Sequence, residues 1–425
     1  MWIFLAYFAA LLSSLGKRCG RGCPYGVDGG QGDVCWSCAD WRSVEVGVPV
    51  LRIICCNTEI FRYQDFMRKS LRFLLFFLAL GAPASHVLAV GAGSADSAED
   101  IEYDGPLTIK LGTRLDYQRE YQKSDAVDDR SGFKGHNLMI SIQGNITNRF
   151  SFRYRQRISE SKRQSNFFDG TDFMYLKYRF NKRWDVTAGK NAIEFGSAEY
   201  QRDPSEQYFL SDYWNYPPCY KFAFNLGCNV GENDRLVLQA AESSFKTKEN
   251  DVYAYALSWY GNHKWFHTMY SANMMEYVDG KYLYYISLGH TLEFGKVRVN
   301  VDYMNRFTGK EQFFEDCTVR GEVMYRPNDN FNFVALGFYS NNQSHDLGAL
   351  YLAKGTELTH WGGVVEYSPI PEKDKTLKLH AAYSYYYGQQ GMKEAALDLN
   401  RHFLSVGVQW EMDIVALAKK IWKKN

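Results

Sequence analysis

The chain has 425 residues, of which 16% are aromatic, with 31 Tyr, a formal net charge of +1 and a mean hydropathy of −0.39. Near-neutral charge argues against a dedicated nucleic-acid binder, which carries a basic domain or stripe. So many aromatic rings at negative hydropathy must be dispersed among polar residues, and that suits strands with one greasy and one wet face.

Six of the nine cysteines (Cys19, Cys23, Cys35, Cys38, Cys55 and Cys56) fall in the first 66 residues. At Met67 a basic stretch, Met-Arg-Lys-Ser-Leu-Arg, precedes an apolar run from Phe73 to Leu80 and a small-residue site at Val87-Leu88-Ala89. This pattern predicts a signal peptide over 67–89, because the apolar run is shorter than the roughly 20 residues a spanning helix needs. With the start at Met67, residues 1–66 are a non-native upstream extension. The alternative is an N-terminal anchor at 1–15 with a small cysteine-rich module, since Cys35-x-x-Cys38 has a spacing found in zinc and redox sites. Residues 90–106, acidic and rich in Gly, Ala and Ser, read as a periplasmic linker.

From Leu107 the chain alternates. Leu107, Ile109, Leu111, Leu115 and Tyr117 share one face, and Lys110, Arg114, Asp116 and Gln118 share the other. Phe150, Phe152 and Tyr154 alternate in the same way with Ser151, Arg153, Arg155 and Arg157, a period of two that a helix would scramble. The pattern predicts about sixteen strands of roughly ten residues, the length of a tilted strand crossing a bilayer. They begin with 107–118, 137–147, 149–158, 171–180 and 183–191, continue through 220–230, 234–242, 251–260, 263–276, 282–292, 295–306 and 317–326, and close with 331–341, 358–368, 376–387 and 401–412.

Tight connections alternate with long ones along most of this stretch. The tight ones include Thr147-Asn148-Arg149, Asn181-Lys182-Arg183, Gly231-Glu232-Asn233-Asp234, Gly261-Asn262 and Pro327-Asn328-Asp329-Asn330. Short turns on one rim and long loops on the other predict an all-β transmembrane antiparallel barrel over 107–412, inserted in the bacterial outer membrane. Aromatic residues near strand ends, such as Trp184, Tyr260, Trp265, Tyr367, Tyr387 and Trp410, fit interfacial girdles. A soluble β-sandwich also alternates but has no need of loops on one rim only.

The longest connection, about 192–219, is the third extracellular loop and the expected constriction, folded into the lumen. It carries Glu194, Glu199, Arg202, Asp203, Glu206 and Asp212 beside Tyr208, Phe209, Tyr213, Trp214 and Tyr216. Parity places Arg114, Arg153, Arg155, Arg157, Lys177, Arg179, Arg298 and Arg320 among the pore-lining cations, opposed by fewer acids such as Asp116, Asp185, Asp302, Glu322 and Glu366. A net basic wall predicts preference for anions among small hydrophilic solutes.

The residues Ala188-Gly189-Lys190, Phe195-Gly196, Glu199-Tyr200, Asp203-Pro204, Tyr208 and Ser211 resemble the phosphate-selective porin O and P family in its Bacteroidetes form, and the strand pattern resembles it over 101–412. The resemblance implies a sixteen-stranded, homotrimeric barrel whose third loop narrows the pore. In phosphate-selective members, wall arginines and basic loop residues bind anions. Arg153, Arg155 and Arg157 match the wall arginines, while the loop here is acidic and departs from that pattern.

Competing readings are an adhesin or receptor anchored by a barrel and a barrel enzyme. The histidines are scattered over several strands without GxSxG or HExxH, so no catalytic residue, metal ligand or cofactor is assigned. The basic tail at 413–425 reads either as a short helix on the membrane surface or as a solvated coil.

Overall fold

The computed structural model describes residues 107–122, 125–126, 131–158, 167–212, 219–247, 250–309, 314–344, 352–371, 374, 376–391 and 397–422. The signal peptide, the linker and both readings of residues 1–66 lie outside them.

Sixteen long antiparallel strands follow one another around a closed sheet. They are β1 (Thr108–Gln122), β2 (Gly132–Asn145), β3 (Phe150–Arg157), β4 (Thr171–Arg179), β5 (Trp184–Ala192), β6 (Tyr220–Asn229), β7 (Asp234–Glu242) and β8 (Tyr253–His263). They continue as β9 (Phe266–Val278), β10 (Lys281–Phe294), β11 (Val297–Phe307), β12 (Asp316–Tyr325), β13 (Phe331–Asn342), β14 (Thr356–Tyr367), β15 (Lys378–Gln390) and β16 (Leu397–Asp413). β1 pairs with β16 from Lys110 opposite Asp413 to Gln122 opposite Arg401, so no edge of the sheet is left open. Closure is what hydrocarbon demands, since an edge there strands unpaired backbone groups. A two-residue strand, Asp125–Ala126, adds only to the end of β1.

The two faces follow the alternation. Leu115 is 54% exposed and Leu176 53%, whereas Arg114 and Arg320, on the opposite face, are each 3% exposed. A charged face buried while leucine is exposed is the inversion that distinguishes a lipid-facing barrel from a soluble sheet. Spin labels at Ile109, Phe152 and Val299 are therefore expected to report lipid contact in a bilayer, and labels at Lys110, Arg153 and Arg298 water. The reverse pattern would refute the fold.

Three local departures have physical causes. The tight turn expected at Gly261-Asn262 lies two residues later, because β8 and β9 stay paired to His263 opposite Phe266. Lys264 takes the left-handed φ of 57° that glycine or asparagine usually supplies, so the turn carries no compositional signal. Tyr260, expected in an interfacial girdle, instead belongs to the polar face, where its hydroxyl donates to the Glu194 carboxylate. In β13 the inward and outward positions still alternate, but the middle of the inner face is apolar rather than polar. Phe331 and Phe333 face outward, yet Val334, Leu336 and Phe338 are buried on the inner side.

The other girdle residues named from sequence, Trp184, Trp265, Tyr367, Tyr387 and Trp410, are exposed on the outer face, with Trp265 stacked on Phe294 and Tyr367 against Phe331. After β16 the chain turns into a helix, Ile414–Trp422, whose first turn is capped where Asp413 Oδ1 accepts the Ala416 N–H at 2.9 Å.

Candidate functional site

The segment that leaves β5 at Ala192 and joins β6 at Tyr220 contains a short helix, α1 (Ala198–Gln201), and a 3-10 turn at Pro204–Glu206. Its sequence reads as alternating apolar and charged groups without a strand's regularity, and each kind finds a partner on the polar face of the sheet. Ile193, Phe195 and Tyr200 pack against Met275, Leu283, Tyr285 and Met304, and Phe209 packs against Met324, Leu336, Phe338 and Val364. These two apolar patches hold the segment at both ends.

Between them its polar groups are matched strand by strand. Glu194 accepts from Asn225 Nδ2 at 3.1 Å. Ser197 caps α1 with its own hydroxyl, and the Asp302 carboxylate of β11 accepts the N–H groups of Ala198 at 2.7 Å and Glu199 at 3.1 Å. A carboxylate at a helix start satisfies orphan donors that the helix cannot pair itself. Arg202 forks onto Glu322 of β12, with Nη1 at 2.8 Å from Oε2, and Arg320 reaches the same carboxylate at 2.7 Å. Asp203 meets Arg155 of β3 at 3.1 Å, and Glu206 meets Lys378 of β15 at 3.0 Å. Arg114 of β1 donates to the Gln207 carbonyl at 2.8 Å, Tyr208 donates to Glu366 at 2.8 Å, and Asp212 accepts from Tyr386 at 2.5 Å.

All six charged residues named from sequence in this connection thus meet partners on the barrel wall or within the segment itself. The wall cations divide. Arg114, Arg155 and Arg320 contact the segment, and Arg153 lies 4.2 Å from the centre of the Phe173 ring. Arg157 shares Asp172 with Arg155, both Nε atoms standing 2.9 Å from the same Oδ2. Lys177, 3.8 Å from Asp185, Arg179, opposite Asp185 in register, and Arg298, 2.7 Å from Glu293, lie near the tight-turn rim. Among the described residues, the arginine ladder meets the carboxylates of Asp172 and Asp203.

Sequence reading missed Asp172. By parity it faces lipid, but the register between β3 and β4 jumps from Arg155 opposite Phe173 to Gln156 opposite Thr171, so Asp172 is the extra residue of a bulge. The bulge turns its carboxylate inward to the arginines. No sequence signal marks it, apart from the oddity of an acid on an outward position.

Three carboxyls of the connection are shifted by this setting. Burial pushes Glu199 above the usual glutamate value, against the pull of Arg320 and hydrogen bonds from Ser211. Burial likewise raises Asp212, against the hydrogen bond from Tyr386. Burial works the same way on Asp203, but Arg155 beside it prevails and holds the carboxyl below the usual aspartate value.

A closed sixteen-stranded barrel with a greasy outside and a charged inside defines a porin-type protein of the bacterial outer membrane, a diffusion channel across it. Residues 107–261 match the family model described as phosphate-selective porin O and P, and that is the family this chain resembles. Among solved structures the fold is shared with an anion-selective porin from Comamonas acidovorans, at 9% identity and a TM-score of 0.51, covering 72% of this chain and 99% of that one. It is shared too with the outer membrane channel DcaP of Acinetobacter baumannii, at 10% identity and a TM-score of 0.51, covering 72% of this chain and 96% of that one. No curated protein matches the sequence.

Proposed function

We propose that the chain is a passive, anion-preferring channel rather than an enzyme, working as a homotrimer, in which the connection between β5 and β6 folds into the lumen as the constriction. The observation that carries this reading is the partnering of that segment with polar-face residues from β1, β3, β11, β12, β14 and β15, a spread around the wall that a segment outside the barrel would not reach. Anion preference follows from the arginine ladder, where fixed positive charge beside the constriction concentrates the opposite ion.

The test is the reversal potential of the reconstituted protein in a KCl gradient. Chloride preference is expected, and it should weaken when Arg153, Arg155 and Arg157 are all replaced by alanine. Cation preference in the parent protein overturns the assignment. Absence of conductance favours a receptor or adhesin anchored by the barrel. Chemical cross-linking in detergent tests the trimer.

The same constriction makes conductance depend on pH. Because Glu199 and Asp212 hold protons more tightly in place than released, the docked segment binds more protons than the freed one between the ordinary carboxylate range and the raised values. Docking therefore gains stability as pH falls through that window. Asp203 acts oppositely, and its contribution is lost only below the ordinary aspartate range. Chloride conductance is expected to decline as pH is lowered from 7 toward about 4.5. Glu199→Gln should flatten much of that decline, and an unchanged slope in this variant rules the carboxyl out as its source.

A further inference from the structure

The apolar inner face of β13 meets Phe209 of the constriction segment rather than open lumen. It forms one side of a cleft whose other side is the constriction segment, and the two sides differ in chemistry. Met324, Val334, Leu336 and Val364 make an apolar floor, while Glu206, Glu366, Lys378 and Arg326 supply charges of both signs. Arg326 is exposed and forms no salt bridge among the described residues.

Two amides in this cleft have unanswered acceptors. Asn332 is 8% exposed, and its Nδ2 donates to Glu366 at 2.6 Å, which fixes the orientation of the amide and leaves Oδ1 buried without a partner. Gln207 Nε2 donates to the carbonyls of Glu199 at 2.8 Å and Arg202 at 3.1 Å, and its Oε1 is likewise buried without a partner. Buried acceptors are normally satisfied, and here the missing element is a hydrogen-bond donor.

We propose that this cleft is a subsite for amino-acid-like zwitterions bearing an aliphatic side chain. The proposal rests on the channel reading above and names the solute class of the same constriction. The solute's ammonium answers the Asn332 and Gln207 oxygens beside Glu206, its carboxylate pairs with Arg326 and Lys378, and its side chain lies on the floor of Val334, Leu336 and Val364. The open volume is about 20 Å³, room for a water or two, and Phe209 already covers the floor. An arriving side chain therefore takes the seat of Phe209, which acts as a resident stand-in for it. Inorganic phosphate, with no apolar part and no ammonium, answers neither the floor nor the two amides.

The test is reduction of KCl current through the full-length protein in planar bilayers on adding L-leucine, L-asparagine or L-leucinamide. Leucine and asparagine are zwitterions of similar size that differ in side-chain polarity, and leucinamide keeps the ammonium but lacks the carboxylate. Leucine is expected to act at about a tenfold lower concentration than asparagine. Phe209→Ala should increase the effect of leucine, since the seat is emptied. Arg326→Gln, at an exposed position that leaves folding alone, should weaken leucine and spare leucinamide. Equal responses to leucine and asparagine, or a leucine response unchanged in both variants, overturn the subsite while KCl conductance leaves the channel reading standing. Absence of KCl conductance overturns both.

Discussion

Replacing Glu322 by alanine is expected to loosen the constriction and raise single-channel conductance, together with a marked fall in the temperature at which the folded barrel is lost. The carboxylate is buried between two guanidinium groups, Arg202 of the constriction segment and Arg320 of its own strand, and it also accepts from Asn300 Nδ2 at 2.8 Å. Removing it takes from Arg202 its carboxylate, while Arg320 keeps Asp302 at 3.7 Å and Glu199 at 3.8 Å, and breaking a buried pair from one side costs about 3–5 kcal/mol. Arg320 cannot leave, because its backbone is paired in β12. Arg202 sits on the irregular segment and is free to swing toward water, so the cost is relieved by undocking that end of the segment. Glu322→Gln keeps the volume and one acceptor oxygen but not the charge, and it should show a smaller effect of the same sign. Unchanged conductance in both variants, with the barrel folded, shows that the segment is held by its apolar contacts alone.

The difference between what was legible in the sequence and what was not follows the physics of each part. The strands were legible because a wall between lipid and water enforces a two-residue period at nearly every position, and all sixteen expected spans overlap observed strands. Their ends were less so. Lys264 supplies a positive φ with an unremarkable side chain, and Asp172 reverses its face through a register jump that only the pairing reveals. In β13 positions alternate but polarity does not. There the middle of the inner face meets Phe209 rather than water, so both faces are apolar and the Phe-Asn-Phe-Val-Ala-Leu run loses its alternation of polarity. A continuous apolar run within an otherwise alternating barrel is thus a signal of something covering the wall from inside.

The candidate site was legible as a set of residues and not as a set of bonds. The acids of the third connection and the net basic wall were both visible. In the structure many of those charges are spent on each other. Arg114 with Asp116 at 2.7 Å, Arg235 with Asp185 at 2.7 Å and Arg306 with Asp316 at 2.6 Å remove wall charge before any solute arrives. Counting inward arginines therefore overstates the field.

Gly196→Val is expected to be the strongest single change in the constriction itself, because it attacks the fit of backbone on backbone. A Cβ at this position would stand 2.5 Å from the Met269 carbonyl oxygen, 2.6 Å from Ser271 N and 2.6 Å from the Tyr270 carbonyl carbon. All three are main-chain atoms of β9, which is paired on both sides and cannot retreat without breaking its ladders. The wall provides the matching hollow at Gly289 of β10, where an added Cβ would come within 2.9 Å of the Gly196 oxygen. Since the wall cannot yield, the segment must lift. Lifting draws Phe195 from its apolar seat and parts the N–H groups of α1 from Asp302. Losing a buried phenylalanine's packing alone costs about 3–5 kcal/mol. Conductance should rise and become less dependent on pH, while the barrel, held by its own ladders, still folds. Gly321→Val on β12 is the control, since nothing lies within 4 Å of a Cβ there. If the Gly196 and Gly321 variants conduct alike, the segment does not govern passage through the barrel.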